Sequence, residues 1–243
     1  MFLKEKLIKN FTNSKNTYEK NAVIQKKMQE VLLEILQKQI NSEFKNILEL
    51  GCGNGSFAKK IAQNITFEKY FALDIVDFSK DFLDSKIEFY KQDIEDFVSL
   101  EMLFKNTKFD LILSNAVLQW TNQEKVLNFL TKITKKDSYL MFSVFGEENL
   151  REIREVFGVS LKYFSKDYYK NILRNDWKII TLFDKNEKLE FSQSLDIFRH
   201  LKESGVNSLK SQNRITKASL TLFKNQYNNT LTYNPLYIIA QKK

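Results

Sequence analysis

The residues of this chain with the types and spacing for chemistry gather around one run, Ile47 to Gly55, ILELGCGNG. Gly51, Gly53 and Gly55 stand at alternate positions there, and Glu49 lies two residues ahead of the first. Glycines so spaced let a backbone turn sharply and approach a ligand where a side chain would collide. Asp74 follows nineteen residues after Gly55, and Asp93 and Ile94 come after that. A carboxylate at the end of a second strand is placed to accept hydrogen bonds from ribose hydroxyls. An acidic or amide side chain after a third strand, Gln92 or Asp93, suits the exocyclic amine of an adenine. The spacing is not the G-x-G-x-x-G of dinucleotide folds, and no Lys-Ser/Thr pair follows as in a P-loop. The free N–H groups of a helix opening at Ser56 favour a nucleotide-like ligand, and a carboxylate-bearing one especially.

These residues need a sheet to hold them. Asn46–Leu50 reads as a buried strand running into the turn, with a helix beginning at Ser56. Tyr70–Leu73, Ile87–Tyr90, Phe109–Ser114, Ser138–Val144 and about Lys178–Phe183 read as further strands, separated by helical patterns over Phe97–Phe104 and Gln123–Lys132. Alternation of this kind predicts an α/β, Rossmann-like, mostly parallel sheet with helices on both faces. The stretch after the fourth strand, Asn115-Ala116-Val117-Leu118-Gln119-Trp120, then falls at the carboxyl end of a central strand, where open α/β sheets place their ligands. No Asn/Asp-Pro-Pro-Tyr tetrapeptide stands there.

Outside this core, Phe11–Ser14 reads as a loop, with Thr17 as a helix cap and one helix from Tyr18 to about Gln39. Two helices, Leu195–Ser204 and Thr216–Tyr227, joined through Gly205-Val206-Asn207, precede a last strand, Leu231–Gln241. Pro235 inside that strand predicts a bulge or a strand start. No Gly/Ser/Pro-rich linker or repeat divides the chain, so one domain is expected: a helical cap over 1–45, a ligand-binding core over 46–145, and added lid helices within about 146–230.

A length of 243 residues with 43% hydrophobic side chains supports a proper core. No apolar run approaches membrane-spanning length, and the N-terminus lacks the apolar stretch of a signal peptide. Cys52 is the only cysteine and His200 the only histidine, so disulfides and Cys- or His-based metal sites are not expected, and a reducing cytoplasm is. Cys52 reads as a small packing residue. The net charge is +8, spread along the chain, and only five of the 38 basic residues are arginines. Such a charge attracts an acidic partner, nucleic acid or protein, without choosing between them.

The order Glu49-x-Gly51-x-Gly53-x-Gly55, then Asp74, then Asp93, resembles the class I S-adenosylmethionine (SAM) methyltransferases. Longer stretches resemble one family within them, the malonyl-[acyl-carrier protein] O-methyltransferases of biotin synthesis. They are FTNSKNTYEKNAVIQKKM (Phe11–Met28), SNAVLQW (Ser114–Trp120), FSVFGEENLREI (Phe142–Ile153), FRHLKESGVNSL (Phe198–Leu209) and LTYNPLYIIAQ (Leu231–Gln241). Val206, and Glu147-Glu148, depart from the family's usual residues. The resemblance implies SAM as cofactor, no metal, a malonyl thioester on acyl-carrier protein as substrate, with its free carboxylate methylated, and a monomeric enzyme. It implies Glu49, Gly51, Gly53, Gly55, Asp74, Asp93, Ile94 and Asn115 as cofactor residues. Tyr18, Gln119 and Trp120 would line the reacting end, and Arg199 would hold the substrate carboxylate, its planar fork matching two oxygens. Methylation of another small carboxylic acid such as aconitate, methylation of nucleic acid, and non-catalytic SAM binding are the alternatives.

Overall fold

A computed structural model describes residues 2–40, 43–83, 86–158, 160–204 and 216–243. Two helices, α1 (Phe2–Asn21) and α2 (Val23–Gln39), open the chain. The expected loop at Phe11–Ser14 is instead helical, and the break falls at Ala22. No Gly or Pro interrupts the first twenty residues, and the Thr12 hydroxyl donates back to Ile8 O at 2.8 Å, which lets a turn-forming residue sit inside a helix. Asn21 Nδ2 donates in the same way to Thr17 O at 2.9 Å, so Thr17 lies within α1 and does not cap a helix.

The core follows as β1 (Glu43–Leu50), α3 (Ser56–Asn64), β2 (Thr66–Asp74), β3 (Ile87–Lys91), α4 (Phe97–Leu103), β4 (Phe109–Asn115), α5 (Gln123–Ile133) and β5 (Thr134–Phe145). After it come α6 (Arg151–Phe157), α7 (Lys166–Leu173), β6 (Trp177–Asp184), β7 (Glu187–Glu190), α8 (Ser194–Glu203), α9 (Lys217–Tyr227), β8 (Thr230–Tyr233) and β9 (Pro235–Lys242). Seven strands form one sheet in the order β3-β2-β1-β4-β5-β9-β6, and β1 to β5 run parallel. The central strands read as apolar runs because both sheet faces are covered: Ile47, Leu48, Leu111, Ile112, Leu113 and Leu140 are fully buried.

The last strand divides at Asn234. β8 pairs antiparallel with β7, a short strand the sequence did not announce, and β9 starts at Pro235 and enters the main sheet. Proline has no N–H to give a ladder, so the first strand position suits it. Asn234 fixes the junction. Its carbonyl accepts from Gly146 N–H at 2.8 Å, and its amide donates to Asp184 Oδ2 at 3.0 Å and Asn186 Oδ1 at 2.7 Å.

The chain clusters into two compact units. One, here the sheet unit, spans 25–144, 165–183 and 236–243; the other, the helical unit, spans 1–24, 145–164 and 184–235. In the sheet unit, register decides where side chains emerge. Leu50 pairs with Leu73 on one side and Ser114 on the other, so β1, β2 and β4 end level. Strand order reverses between β1 and β4, and this is where the glycine turn leaves the sheet.

Candidate active site

The turn is stitched to the end of β2. Gly51 and Cys52 both donate their N–H to Leu73 O, at 2.8 and 2.9 Å. Asp74 Oδ2 accepts from Gly53 N–H at 2.9 Å, and Oδ1 from Val76 N–H at 2.8 Å. Asp74 therefore holds the turn in shape.

The three glycines are glycine for different reasons. All have positive φ: 70° at Gly51, 54° at Gly53 and 76° at Gly55. A Cβ at Gly51 would lie 2.3 Å from Val117 Cγ2, and one at Gly55 would lie 2.7 Å from the Phe82 ring. A Cβ at Gly53 would meet nothing within 4 Å. Packing within the protein thus explains the first and last, while Gly53 faces open space at the centre of the turn.

Glu49 is 1% exposed and accepts a hydrogen bond from Tyr70 O–H at 2.7 Å. Burial pushes its carboxyl up to about 8; Tyr70 opposes this and the nearby Asp74 charge adds to it. Cys52 is buried, and that burial pushes its thiol up too, as befits a packing residue.

Beside the turn, β4 ends in a strained step. Ala116 has φ 56°, a left-handed conformation a Cβ disfavours, and a single 3-10 turn, Leu118–Trp120, follows. Asn115, 9% exposed, uses both ends of its amide: Nδ2 donates to Gln25 O at 3.1 Å, and Oδ1 accepts from Ser143 O–H at 2.7 Å. Gln119, equally buried, donates from Nε2 to Ala116 O at 2.6 Å. That bond fixes which end of the amide is nitrogen, and it leaves Oε1 buried with no partner. Trp120 is half-buried at the end of the same turn. At the end of β3, Gln92 N–H donates to Asp74 O at 2.8 Å, Asp93 Oδ1 accepts from Glu95 N–H at 2.9 Å, and Ile94 is 8% exposed.

The sheet unit thus brings Glu49, the three glycines, Asp74, Asp93, Ile94, Asn115, Gln119 and Trp120 to the carboxyl ends of neighbouring strands. The other two candidates belong to the helical unit. Tyr18 falls in α1, and its side chain lies outside the described ones. Arg199 lies on α8, its side chain 66% exposed and its Nη1 donating to Asp196 Oδ1 at 2.8 Å. Arg151 is more heavily engaged, within ion-pair reach of both Glu148 and Glu152, and Arg154 donates to Glu147 O at 2.8 Å. His200 Nε2 lies 2.9 Å from Tyr233 Oη, and burial lowers its affinity for a proton. The joining stretch at 205–207 lies outside the described residues.

Several contacts that shape the site had no signal in the sequence. Val117 against Gly51, Phe82 against Gly55, Tyr70 on Glu49 and Ser143 on Asn115 are partners brought from other elements. Among the described residues no group of three or more His, Cys, Asp or Glu side chains is assembled for a metal, and no helix is long and apolar enough to cross a membrane.

Comparison with known proteins gives the family and the fold. Residues 22–208 match a family described as "Methyltransferase domain". The chain is 35% identical to a malonyl-[acyl-carrier protein] O-methyltransferase of Calditerrivibrio nitroreducens, over 96% of this chain and 95% of that protein. It is 29% identical to one of Haemophilus influenzae, over 98% and 94%. Among solved structures, a putative methyltransferase of Bacillus halodurans superposes with a TM-score of 0.60, at 12% identity over 88% of this chain and 97% of that one. The N-methyltransferase NodS of Bradyrhizobium japonicum, in complex with S-adenosyl-L-homocysteine, superposes with a TM-score of 0.53, at 14% identity over 93% and 98%. At those identities the structures establish the shared fold, and the sequence relatives establish the lineage: this chain belongs to the malonyl-[acyl-carrier protein] O-methyltransferase family.

Proposed function

We propose that this protein methylates the free carboxylate of a malonyl group carried on acyl-carrier protein, giving the methyl ester that opens pimeloyl synthesis for biotin. The observation that carries the reading is the match to such enzymes along 96% of the chain. The open space at Gly53 and the unpartnered acceptor at Gln119 fit a ligand of SAM's chemistry. When bound, SAM supplies an electrophilic methyl on a sulfonium.

The residues of this chain have binding and orienting to do, and no proton to move. A malonyl carboxylate is already ionised at pH 7, so its oxygen can take a methyl group without a general base. This agrees with a chain whose one histidine is committed to Tyr233. What remains is alignment of the two reacting groups and exclusion of water. In this reading Glu49, Gly51, Gly53, Gly55, Asp74, Asp93, Ile94 and Asn115 hold the cofactor, Asn115 through the one amide hydrogen its internal bonds leave over. Tyr18 and Trp120 wall the reacting end. Gln119 is a binding group, since an acceptor repels a carboxylate and needs a donor such as the ammonium of SAM's amino-acid end. Arg199 is the carboxylate's cation in this reading: one of its N–H groups is spent on Asp196, and its planar fork matches two oxygens.

The test is transfer of a labelled methyl group from SAM to malonyl-carrier protein, with acetyl-carrier protein and free malonate as controls. Label that base hydrolysis releases as methanol, from the malonyl-carrier sample alone, is the expected result. Equal labelling of free malonate would replace the carrier-bound substrate with a small acid. Labelling of none of the three would refute the reading.

A further inference from the structure

Two neighbouring helices of the helical unit turn an unusual face to solvent. They pack inward through aromatic rings: Phe157 of α6 meets Phe198 of α8 edge-on at 5.0 Å and Phe223 of α9 at 6.0 Å. The α8 N-terminus is tied to α9 and the residues after it. Ser194 Oγ donates to Leu220 O at 3.2 Å and lies 2.6 Å from Asn229 Oδ1. With Ile197, Leu201 and Phe223 inside, helical spacing puts Leu195, Arg199 and Lys202 on the outer face of α8. On α9 it puts Lys217, Thr221 and Lys224 in one outer stripe, with Ala218 and Leu222 beside it. Leu195 is 56% exposed and Leu222 47%.

An exposed leucine needs no explanation by itself, but two on packed helices that also present exposed Lys202, Lys217 and Lys224 have the make-up of a docking surface, apolar side chains among cations. The charges are of one sign where they are unspent. α9 carries no acidic residue, and among the described residues Lys217 and Lys224 have no ion-pair partner. On α8, Asp196 is taken by Arg199, and Glu203 is half-buried.

We propose that the outer face of α8 and α9 is where this protein docks its acyl-carrier protein, an acidic protein that must approach and leave once per turnover. The proposal rests on the reading above, that the substrate is carrier-bound. Size agrees with a brief encounter. Helices of 10 and 11 residues are each roughly 15 Å long, and neighbours lie about 8–10 Å apart. Such a face falls at the small end of specific interfaces, where weak, fast-exchanging complexes are found. Lysine rims act mainly on the rate of encounter, so the surface sets KM for the carrier more than kcat.

The experiment compares two substrates on one set of variants: malonyl-carrier protein, and the same malonyl thioester on a short pantetheine fragment with no protein attached. The variants are Lys217→Glu with Lys224→Glu, Leu222→Ser alone, and Lys69→Glu, an exposed lysine of the sheet unit, as control. The charge-reversed pair should raise KM for malonyl-carrier protein about tenfold, and Leu222→Ser several-fold, with kcat, the fragment's kinetics and the affinity for S-adenosyl-L-homocysteine unchanged. Raising ionic strength should weaken the wild-type KM for the carrier and flatten its difference from the pair. Unchanged KM for the carrier, or an equal change for the fragment, overturns the proposal while leaving the methyltransferase reading intact. Unchanged KM with a shift from dimer to monomer in the variants would assign the face to a second copy of this chain instead. A wild-type protein that methylates the fragment as well as it does the carrier would remove the carrier, and the docking surface with it.

Discussion

Alanine at each of the three turn glycines should separate fold from ligand binding. All three have positive φ, where a Cβ costs about 1–2 kcal/mol. At Gly51 the new methyl would also lie 2.3 Å from Val117, a β-branched side chain with little room to rotate, and at Gly55 it would lie 2.7 Å from Phe82. Phe82 is 5% exposed and stacked on Phe89 at 5.2 Å, so it too yields poorly. Overpacking of this kind adds about 1–3 kcal/mol, giving roughly 2–5 kcal/mol in total at those two sites. At Gly53 nothing lies within 4 Å, so Gly53→Ala carries the backbone term alone. For a chain of this size that term lowers the melting temperature by about 2–8 °C. Binding should rank differently. If the open space at Gly53 is where the cofactor meets the backbone, Gly53→Ala should weaken S-adenosyl-L-homocysteine at least tenfold, and Gly53→Val should abolish binding. Thermal melting of the ligand-free proteins and calorimetric titration of the folded ones give both orders. A Gly53→Ala protein that binds with wild-type affinity would mean that the turn is not the cofactor site. A Gly53→Ala protein less stable than Gly51→Ala would refute the steric account.

Asp74→Ala removes the acceptor of two backbone N–H groups, so it should cost about 2–3 kcal/mol of stability as well as tens of fold in S-adenosyl-L-homocysteine affinity; unchanged affinity in the folded variant would take Asp74 out of the site. Glu49 keeps its proton in the folded protein up to about 8 and loses it near 4.5 when unfolded, so its contribution to stability is complete below about 4.5 and is lost as pH rises towards 8, by at most about 1.4 kcal/mol per unit. Glu49→Gln should flatten that slope in urea titrations run between those limits, and identical slopes for both proteins would contradict it. Gln119→Leu should shift the ligand-free melting temperature little, since loss of the bond to Ala116 O opposes removal of a buried orphan acceptor, yet weaken S-adenosyl-L-homocysteine about tenfold and spare 5′-methylthioadenosine, which lacks the amino-acid end; equal loss for both ligands would locate its partner elsewhere. Arg199→Ala should leave cofactor affinity intact and cut turnover of malonyl-carrier protein about 100-fold, with Arg199→Lys recovering only part; wild-type turnover in both would return Arg199 to the solvated surface.

The order of carboxylates and glycines from Glu49 to Asp93 was legible in the sequence, and so was the sheet, because strands buried on both faces leave apolar runs between turn residues. The lineage was legible for a related reason: its marks are contiguous stretches such as SNAVLQW, which need no folding to be read. At the start of the chain local preference was overruled: Thr12 and Asn21 satisfy their side chains on the preceding helical turn, so FTNS stays helical. At the other end Pro235 announced a bulge or a strand start, and β9 does start there, but the partners that fix the junction at Asn234, namely Gly146, Asp184 and Asn186, are distant in sequence. Only tertiary structure could assign different causes to glycines alike in sequence, since the reason lies with Val117, Phe82 or empty space. Only it could show that Asp74 and Asn115 are spent partly on holding the protein together while Gln119 is left with an acceptor unanswered. Hydrogen-bond satisfaction belongs to side chains that meet through the fold, and spacing along a chain does not record which of them have met.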